Sequence, residues 1–430
     1  GGSTLTMSEG IDISALANPV LTDMQRAAVD YGETLTIDFN RDKLLAEAAE
    51  TTGLTDFGPS DFVERLDLLL DEWNSDKGLT GIARLSLRNK LLSFAKSRLL
   101  IHDLLKRHPE IHQQTIDRPI IVAGLPRSGT THLLNLMAAD QRLRSLPLWE
   151  SYEPVPMPGE AVTGDASDPR FQRCQQQWDM MQQMTPYLAA MHPMNPEHIH
   201  EELELMGPDF ASYNFEWLSH SPRWRDHYLT TDQTPHYTYL KTVLKILQWQ
   251  DQQRLGEHYI PRRWVLKCPQ HLEQLPVLHK TFPDATIAIT HRDPVAVIQS
   301  AVTMLAYGQR INRRTVLMDE LINYWSERIQ SLLKSCVRGR PLLPHAQSID
   351  VPFHIFMADD LAMIEHIYAK AALPYTPEAH NALQNYVTEH PRGKEGRVDY
   401  HLQRDFNISP AELRKAFTFY LENSPAKPEL

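Results

Sequence analysis

The stretch that decides the fold of this chain is Pro119-Ile-Ile-Val-Ala-Gly-Leu-Pro-Arg-Ser-Gly-Thr-Thr131. Residues 119–124 form a short, β-branched apolar run that ends at a glycine, which predicts a buried strand of a parallel sheet. A turn follows, and Thr130–Ala139 has a helical pattern. In a strand–loop–helix unit of this kind, glycine allows a tight turn, and the N–H groups of the loop and helix start can hold an anionic oxygen.

Working outward from this unit, the chain continues to alternate strands with helices. Strands are predicted at 263–267 and 285–290, with a weaker one at 352–356, and helices at 272–281, 294–305 and 360–371. Such alternation implies right-handed crossovers and a parallel sheet covered on both faces. The predicted fold class is therefore α/β, a P-loop-like three-layer α/β/α arrangement.

Two helical regions accompany this sheet. Residues 1–117 are predicted to be helical without a convincing strand, and 118–430 to form the α/β domain. Within that domain a mostly helical insertion, about 151–262, follows the first unit, where insertions commonly build a substrate pocket. Residues 1–6, ahead of Met7, resemble an expression remnant and are left out of the fold prediction.

Composition narrows the class of protein. The chain has 430 residues, of which 42% are hydrophobic and 23% charged, so a substantial core can be buried. The net charge of −11 argues against non-specific binding to nucleic acid or anionic lipid. No apolar run approaches the ~20 residues that cross a bilayer. The three dispersed cysteines lack metal or disulfide spacing. We expect a cytoplasmic protein without a transmembrane segment or metal site.

The loop at 124–131 departs from the nucleotide-triphosphatase pattern G-x-x-x-x-G-K-[ST]. Gly124, Gly129 and Thr131 match it, but Thr130 stands where the pattern has lysine. The cation lies instead at Arg127, whose guanidinium can bind phosphate or sulfate oxygens in a bidentate manner. The missing lysine disfavours a kinase or triphosphatase, which remains the alternative function.

Pro126–Thr131 resembles the 5'-phosphosulfate loop of sulfotransferases, in the arginine form typical of bacterial enzymes and the tyrosylprotein branch. The resemblance implies transfer of a sulfuryl group from 3'-phosphoadenosine 5'-phosphosulfate to an acceptor hydroxyl of a small molecule or lipid. It also implies that the donor is held by the loop residues Arg127, Ser128, Gly129, Thr130 and Thr131. No metal is implied, because the donor carries no triphosphate.

Three further segments resemble parts of the same family. Ile289-Thr-His-Arg-Asp-Pro-Val-Ala-Val-Ile-Gln-Ser300 resembles its 3'-phosphate site, which implies that Arg292 and Ser300 bind that phosphate. Leu266-Lys-Cys-Pro-Gln-His271 resembles its K-x-P motif, whose lysine, Lys267 here, faces the transferring group. Pro391–Arg397 resembles a loop that closes over the 3'-phosphate, with Arg392 and Lys394 as contacts, although a solvated charge run is an equal alternative.

The reaction also requires a base for the acceptor proton. Glu150 resembles the catalytic glutamate of the tyrosylprotein branch and is expected near the end of the next strand. His271 lies roughly where the cytosolic branch carries a histidine, and His132, on the loop helix, is a third candidate. Arg127 and Lys267 are expected to stabilise the charge that develops on the transferring group.

The insertion holds other candidates. His198 and Glu202 are spaced for one helical face and could line a pocket, lie on the surface or bind a metal. Four aromatic residues could line an apolar acceptor pocket, but each could equally belong to the core: Tyr213, Phe215, Trp217 and Trp224. The amino-terminal helices could form a homodimer face. A protein that binds the adenosine bisphosphate without catalysis is a second alternative.

Overall fold

A five-stranded parallel sheet organises the protein. The computed structural model describes residues 10–11, 15–391, 397–398 and 401–429. The order of the strands is β3–β4–β2–β5–β6, and every neighbouring pair is parallel. The strands are β2 (Ile120–Ala123), β3 (Leu143–Arg144), β4 (Arg263–Cys268), β5 (Thr286–His291) and β6 (Ser348–Pro352). A separate parallel pair joins β1 (Gly10–Ile11) to β7 (Arg397–Val398).

The central strand β2 separates two apolar layers. Ile121 and Ala123 belong to one core cluster, whereas Ile120 and Val122 belong to another. The sequence shows no polar alternation here because helices cover both faces of the sheet, so that side chains on either face are buried. The predicted α/β fold is confirmed. Because β4 and β5 flank β2, the loops that follow these three strands meet at one edge of the sheet.

Helices on both sides complete these layers. One core cluster contains residues of α11, α12, α13 and α14, and the other contains residues of α5, α15, α16 and α17. These helices are α5 (Thr130–Ala138), α11 (Thr234–Leu255), α12 (Leu275–Thr281), α13 (Pro294–Asn312), α14 (Met318–Gly339), α15 (Phe353–Ala358), α16 (Asp360–Lys370) and α17 (Pro377–Glu389). After β7 come α18 (Leu402–Phe406), α19 (Pro410–Lys415) and α20 (Thr418–Glu422).

The amino-terminal helices pack with part of the insertion. Phe94 on α4 forms edge contacts with Phe210 and Phe215, within a cluster that also buries Trp224. The helices before the sheet are α1 (Asp23–Glu33), α2 (Arg41–Thr52), α3 (Phe62–Ser75) and α4 (Gly81–Arg107). The insertion adds α6 (Leu148–Tyr152), α7 (Pro169–Met184), α8 (Pro186–Met191), α9 (Asn214–Leu218) and α10 (Pro222–Thr230). In the described ranges, no helix combines the length and the apolarity needed to cross a bilayer.

The strand predicted at 352–356 is wrong. The sixth strand is Ser348–Pro352, and residues 353–358 form a helix. The true strand carries Asp350, whose carboxylate accepts hydrogen bonds from Arg340 and pairs with His291. Asp350, whose side chain is 36% exposed on this edge strand, interrupts the apolar pattern, so the sequence favoured the more apolar run that follows it.

Candidate active site at the carboxyl edge of the sheet

The loop between β2 and α5 fits tightly against the end of β5. A Cβ atom at Gly124 would lie only 1.9 Å from the Thr290 hydroxyl oxygen, so only glycine allows this approach. The Ser128 hydroxyl donates to the Leu125 carbonyl at 2.5 Å and shares a 2.7 Å hydrogen bond with the Thr290 hydroxyl. Two neighbouring strand ends are thus joined through one hydroxyl pair.

Two left-handed residues shape the tip of this loop. Arg127 has φ 65° and Gly129 has φ 87°. The Arg127 side chain is exposed, and no hydrogen-bond partner for its guanidinium occurs among the described residues. The Thr130 hydroxyl is buried and likewise lacks a partner within the described part of the chain. A cation, a polar hydroxyl and the start of α5 are therefore available to an anionic group.

Arg292, directly after β5, touches this loop. Its Nη1 donates to the Arg127 carbonyl at 2.5 Å, and its guanidinium lies 4.0 Å from the Phe353 ring centroid. Its remaining donors bind the Glu429 carboxylate at 2.9 and 3.1 Å. Ser300 is buried on α13, two turns after Pro294. The structure thus brings together the two segments that the sequence places about 165 residues apart.

Lys267, near the end of β4, faces a pair of acidic residues from the insertion. Its ammonium group contacts the Glu201 carboxylate, and its backbone N–H donates to Glu202 at 2.8 Å. Burial would raise the pKa of Glu201, but the charges of Lys267 and His200 and the hydrogen bond from Lys267 together hold that pKa below its usual value. The two glutamates of the H-x-H-E-E run at 198–202 therefore contact Lys267, the lysine on β4 that is predicted to act in catalysis. The sequence did not predict this contact.

The two preferred base candidates are both engaged in internal contacts. His271 is fully buried; its Nε2 lies 2.5 Å from Glu202 and its Nδ1 lies 2.8 Å from the Tyr237 hydroxyl. Glu150 lies on α6, six residues beyond β3, and accepts two 2.9 Å hydrogen bonds from Arg144. In this conformation both side chains therefore stabilise the protein through internal hydrogen bonds.

Arg144 holds Glu150 as part of a larger buried network. Its Nε also donates to Asp251 at 3.0 Å. Burial alone would lower the pKa of Arg144, but the carboxylates of Glu150 and Asp251 raise it above its usual range. The third candidate, His132, lies 2.9 Å from the Asp360 carboxylate and contacts Phe356, so it packs between α5 and α15–α16.

A histidine group in the insertion lies beside these charges. The His192 and His198 rings are 5.4 Å apart, and His198 is 5.5 Å from His200. Burial lowers the pKa of His192 to about 4, and the charges of His200, Lys267 and Arg127 act in the same direction. His192, which the sequence analysis did not single out, therefore lies within electrostatic range of both predicted charge-stabilising cations.

The remaining site predictions have different outcomes. Arg392 and Lys394 lie outside the described residues. Phe215 and Trp224 are buried in the amino-terminal core cluster, and Tyr213 is buried in the main one, whereas Trp217 stacks on Trp325 at 3.7 Å. Across the described ranges, no group of three His, Cys, Asp or Glu side chains is arranged to hold a metal ion. All three cysteines are buried free thiols.

Comparisons with known proteins agree with this geometry. A family model described as the sulfotransferase family matches residues 119–377. The structure is similar to sulfotransferase STF1 from Mycobacterium tuberculosis H37Rv, with TM-score 0.75 and 26% identity over 88% of this chain and 98% of that one. It shares its fold with sulfotransferase STF9 from Mycobacterium avium, with TM-score 0.80 and 24% identity over 91% and 98% of the two chains. No curated sequence matches significantly.

Proposed function

Because the chain belongs to the sulfotransferase family, we propose that it transfers a sulfuryl group from 3'-phosphoadenosine 5'-phosphosulfate to an acceptor hydroxyl. The observation that carries this proposal is the direct contact between the Arg127 loop and Arg292. A donor with anionic groups at both ends needs a cationic group for each of them, and this contact supports the proposal because it holds Arg292 against the loop that carries Arg127. The arginine-type loop also supports our proposal of a bacterial branch similar to tyrosylprotein enzymes.

The loop suits the 5' end of the donor. The guanidinium of Arg127 and the hydroxyl of Thr130, which have no hydrogen-bond partner among the described residues, can both donate to sulfate or phosphate oxygens. We propose that the backbone N–H groups of Gly129 and Thr131 complete this cradle at the start of α5. The Ser128 N–H donates to the Leu125 carbonyl at 3.3 Å, so Ser128 stays a predicted contact of the donor. Gly124 allows the loop to lie close to Thr290 at the base of this site, since any side chain there would collide with Thr290.

Arg292 and Ser300 are proposed to hold the 3'-phosphate. The Glu429 carboxylate now takes the donors of Arg292 that a phosphate would use, so bound donor would displace that carboxylate. The exchange replaces one anion with a more highly charged one, which strengthens a charge-assisted hydrogen bond. Arg392 and Lys394 stay predicted contacts of this phosphate.

The residues at the strand ends account for the chemistry. During transfer a bond forms between the acceptor oxygen and sulfur, the bond from sulfur to the 5'-phosphate oxygen breaks, and the acceptor proton passes to a base. Arg127 and Lys267 are proposed to stabilise the charge that spreads over the sulfuryl oxygens. Glu150 and His271 stay predictions for the base, a role that contributes roughly 10²–10⁴-fold.

Calorimetric titration of the purified protein tests the donor assignment. We expect 3'-phosphoadenosine 5'-phosphate to bind and ATP with Mg²⁺ to bind more weakly or not at all. Ser300→Ala should weaken bisphosphate binding by about ten- to a hundredfold, because one hydrogen bond to a charged phosphate is worth roughly 1.5–3 kcal/mol. Tight binding of ATP with no response to the bisphosphate would contradict the proposal and favour the kinase alternative. Binding of the bisphosphate without turnover of the phosphosulfate donor would favour a non-catalytic binding protein.

A further inference from the structure

Glu429 binds one edge of the Arg292 guanidinium in a bidentate manner. Its carboxylate oxygens accept hydrogen bonds from Nε at 2.9 Å and from Nη2 at 3.1 Å. Among the described residues these two nitrogens have no other hydrogen-bond partner, whereas Nη1 binds the Arg127 carbonyl. A phosphate group binds arginine through paired donors of the same kind. Glu429 therefore occupies the donors that a phosphate at Arg292 would use.

The backbone of Glu429 is fastened beside Arg292 independently of this ion pair. Its N–H donates to the Asp293 carboxylate at 2.8 Å, and its carbonyl accepts a hydrogen bond from Arg414 Nη2 at 2.5 Å. Arg414, on α19, also donates through Nε to the same Asp293 oxygen at 2.9 Å. Asp293 is fully buried and caps the start of α13 by accepting from the Val295 N–H. The start of α13 thus fixes the backbone of residue 429 next to the proposed 3'-phosphate site.

These two sets of contacts have different fates when a phosphate binds Arg292. The Glu429 carboxylate must leave, because the phosphate takes its donors, but the backbone contacts do not involve Arg292 and can remain. The displaced carboxylate then stays within the length of one side chain from Arg292. A group tethered so closely competes at an effective concentration of roughly millimolar or more. Even a modest attraction between Glu429 and Arg292 is therefore enough to compete with a bound phosphate.

A purely structural role for this ion pair is the main alternative. The Glu429 side chain is 38% exposed, and exposed ion pairs contribute little to stability. Arg292 is also held by the Arg127 carbonyl and by the Phe353 ring, whose centroid lies 4.0 Å from the guanidinium. The pair is therefore not needed to place Arg292, which favours a role in ligand binding over a role in folding.

From this arrangement we infer that Glu429 competes with the 3'-phosphate of the nucleotide for Arg292, and that Asp293 and Arg414 position it to do so. The inference rests on the proposed 3'-phosphate site and adds the way in which this site releases its ligand. Donor and spent nucleotide carry the same 3'-phosphate, so Glu429 weakens binding of both and hastens release of the spent one. Product release limits turnover in many enzymes.

Calorimetric titration of the full chain tests this inference with two ligands, 3'-phosphoadenosine 5'-phosphate and adenosine 5'-phosphate, which lacks the 3'-phosphate. Glu429→Gln should tighten binding of the bisphosphate about five- to tenfold, because a neutral amide forms weaker hydrogen bonds with Arg292 than a carboxylate does. Binding of adenosine 5'-phosphate should stay within twofold of the wild type. Glu422→Gln removes the same charge from an exposed side chain at the end of α20 and is the matched control, which should leave both affinities within twofold.

Two further measurements separate competition from a change in folding. Stopped-flow dissociation of the bisphosphate should be about five- to tenfold slower from Glu429→Gln, because affinity differences among variants of one site lie mostly in the dissociation rate. In an Arg292→Ala background the carboxylate has nothing to compete for. Adding Glu429→Gln to that background should therefore change the bisphosphate affinity by less than twofold.

The outcomes separate this inference from the donor assignment. If the wild type binds the bisphosphate and Glu429→Gln binds it equally or more weakly, the inference is overturned and the donor assignment stands. Equal tightening of adenosine 5'-phosphate, or of the bisphosphate in Glu422→Gln, would show only a general effect of charge and would also overturn the inference. If neither the wild type nor Glu429→Gln binds the bisphosphate, the donor assignment fails and this inference fails with it.

Discussion

The proposed donor pocket and the apolar cavity of about 430 Å³ between the insertion and the helices after β5 are built from the chain in opposite ways. The donor pocket uses short segments at the ends of adjacent strands, where Arg127, Lys267 and Arg292 present permanent charges. The cavity draws its walls from residues spread between 79 and 325, and His192 is one of its polar lining residues. The comparison teaches that a charged donor can be bound by local motifs, whereas an apolar cavity needs surfaces that only packing assembles.

The largest expected effect is on the donor side. Arg127→Ala and Lys267→Ala should each lower turnover by roughly 10³-fold, because removing one preorganised charge-stabilising group costs about 10²–10³. Arg338→Ala, which changes an exposed arginine on α14, is the control and should keep wild-type turnover. Steady-state assays with the phosphosulfate donor and 2-naphthol would measure this. Unchanged turnover in Arg127→Ala would contradict the proposed role of Arg127 in the donor pocket.

The second prediction concerns a buried charge beside the cavity. Arg328 is 2% exposed and binds Glu216 at 2.7 Å and Glu273 at 2.6 Å. Arg328→Met should lower the free energy of unfolding by about 3–5 kcal/mol, because it leaves two buried carboxylates without their cationic partner. Lys415→Met, which breaks the exposed pair with Glu412, should change it by less than about 1 kcal/mol.

Urea denaturation of both variants would measure the difference. Similar stability of Arg328→Met and Lys415→Met would show that the cavity wall does not depend on this buried pair. The donor pocket would then be the only one of the two regions that relies on charge.

The third expected effect is a gradual pH dependence of stability. Burial lowers the pKa of His192 to about 4 and that of His198 to about 2, from 6.5. Below pH 6.5 the unfolded chain therefore binds protons that the folded chain does not, and stability falls as the pH falls toward 4. The slope is at most about 1.4 kcal/mol per pH unit for each histidine.

Urea midpoints measured between pH 7 and pH 4.5 would show this slope. His192→Gln should reduce it, because the glutamine does not titrate, whereas His258→Gln, at a side chain 82% exposed, should leave it unchanged. An equal slope in wild type and His192→Gln would contradict the lowered pKa of His192 in the folded protein.

Much of the fold was predictable from local pattern. The strands at β2, β4 and β5 are confirmed, because buried parallel strands are short apolar runs that need no information from elsewhere. The strand at β6 was misplaced because Asp350, which pairs with Arg340 and His291 on this edge strand, interrupts the apolar pattern. The division into domains at residue 118 stays a prediction, and the amino-terminal helices share a core with the insertion.

By itself the sequence determined the α/β fold, the phosphate-binding type of loop and the cationic residues at the strand ends. The fold follows from strands and helices that alternate along the chain, whereas the loop and each cationic residue are encoded within a dozen consecutive residues, and parallel strands bring their carboxyl ends to one edge. Only the tertiary structure decided that Glu201 contacts Lys267, that Glu150 and His271 are engaged by Arg144 and Glu202, and that His192 lines a cavity. These contacts join residues that are not neighbours in sequence, so their energies depend on packing that no local pattern contains.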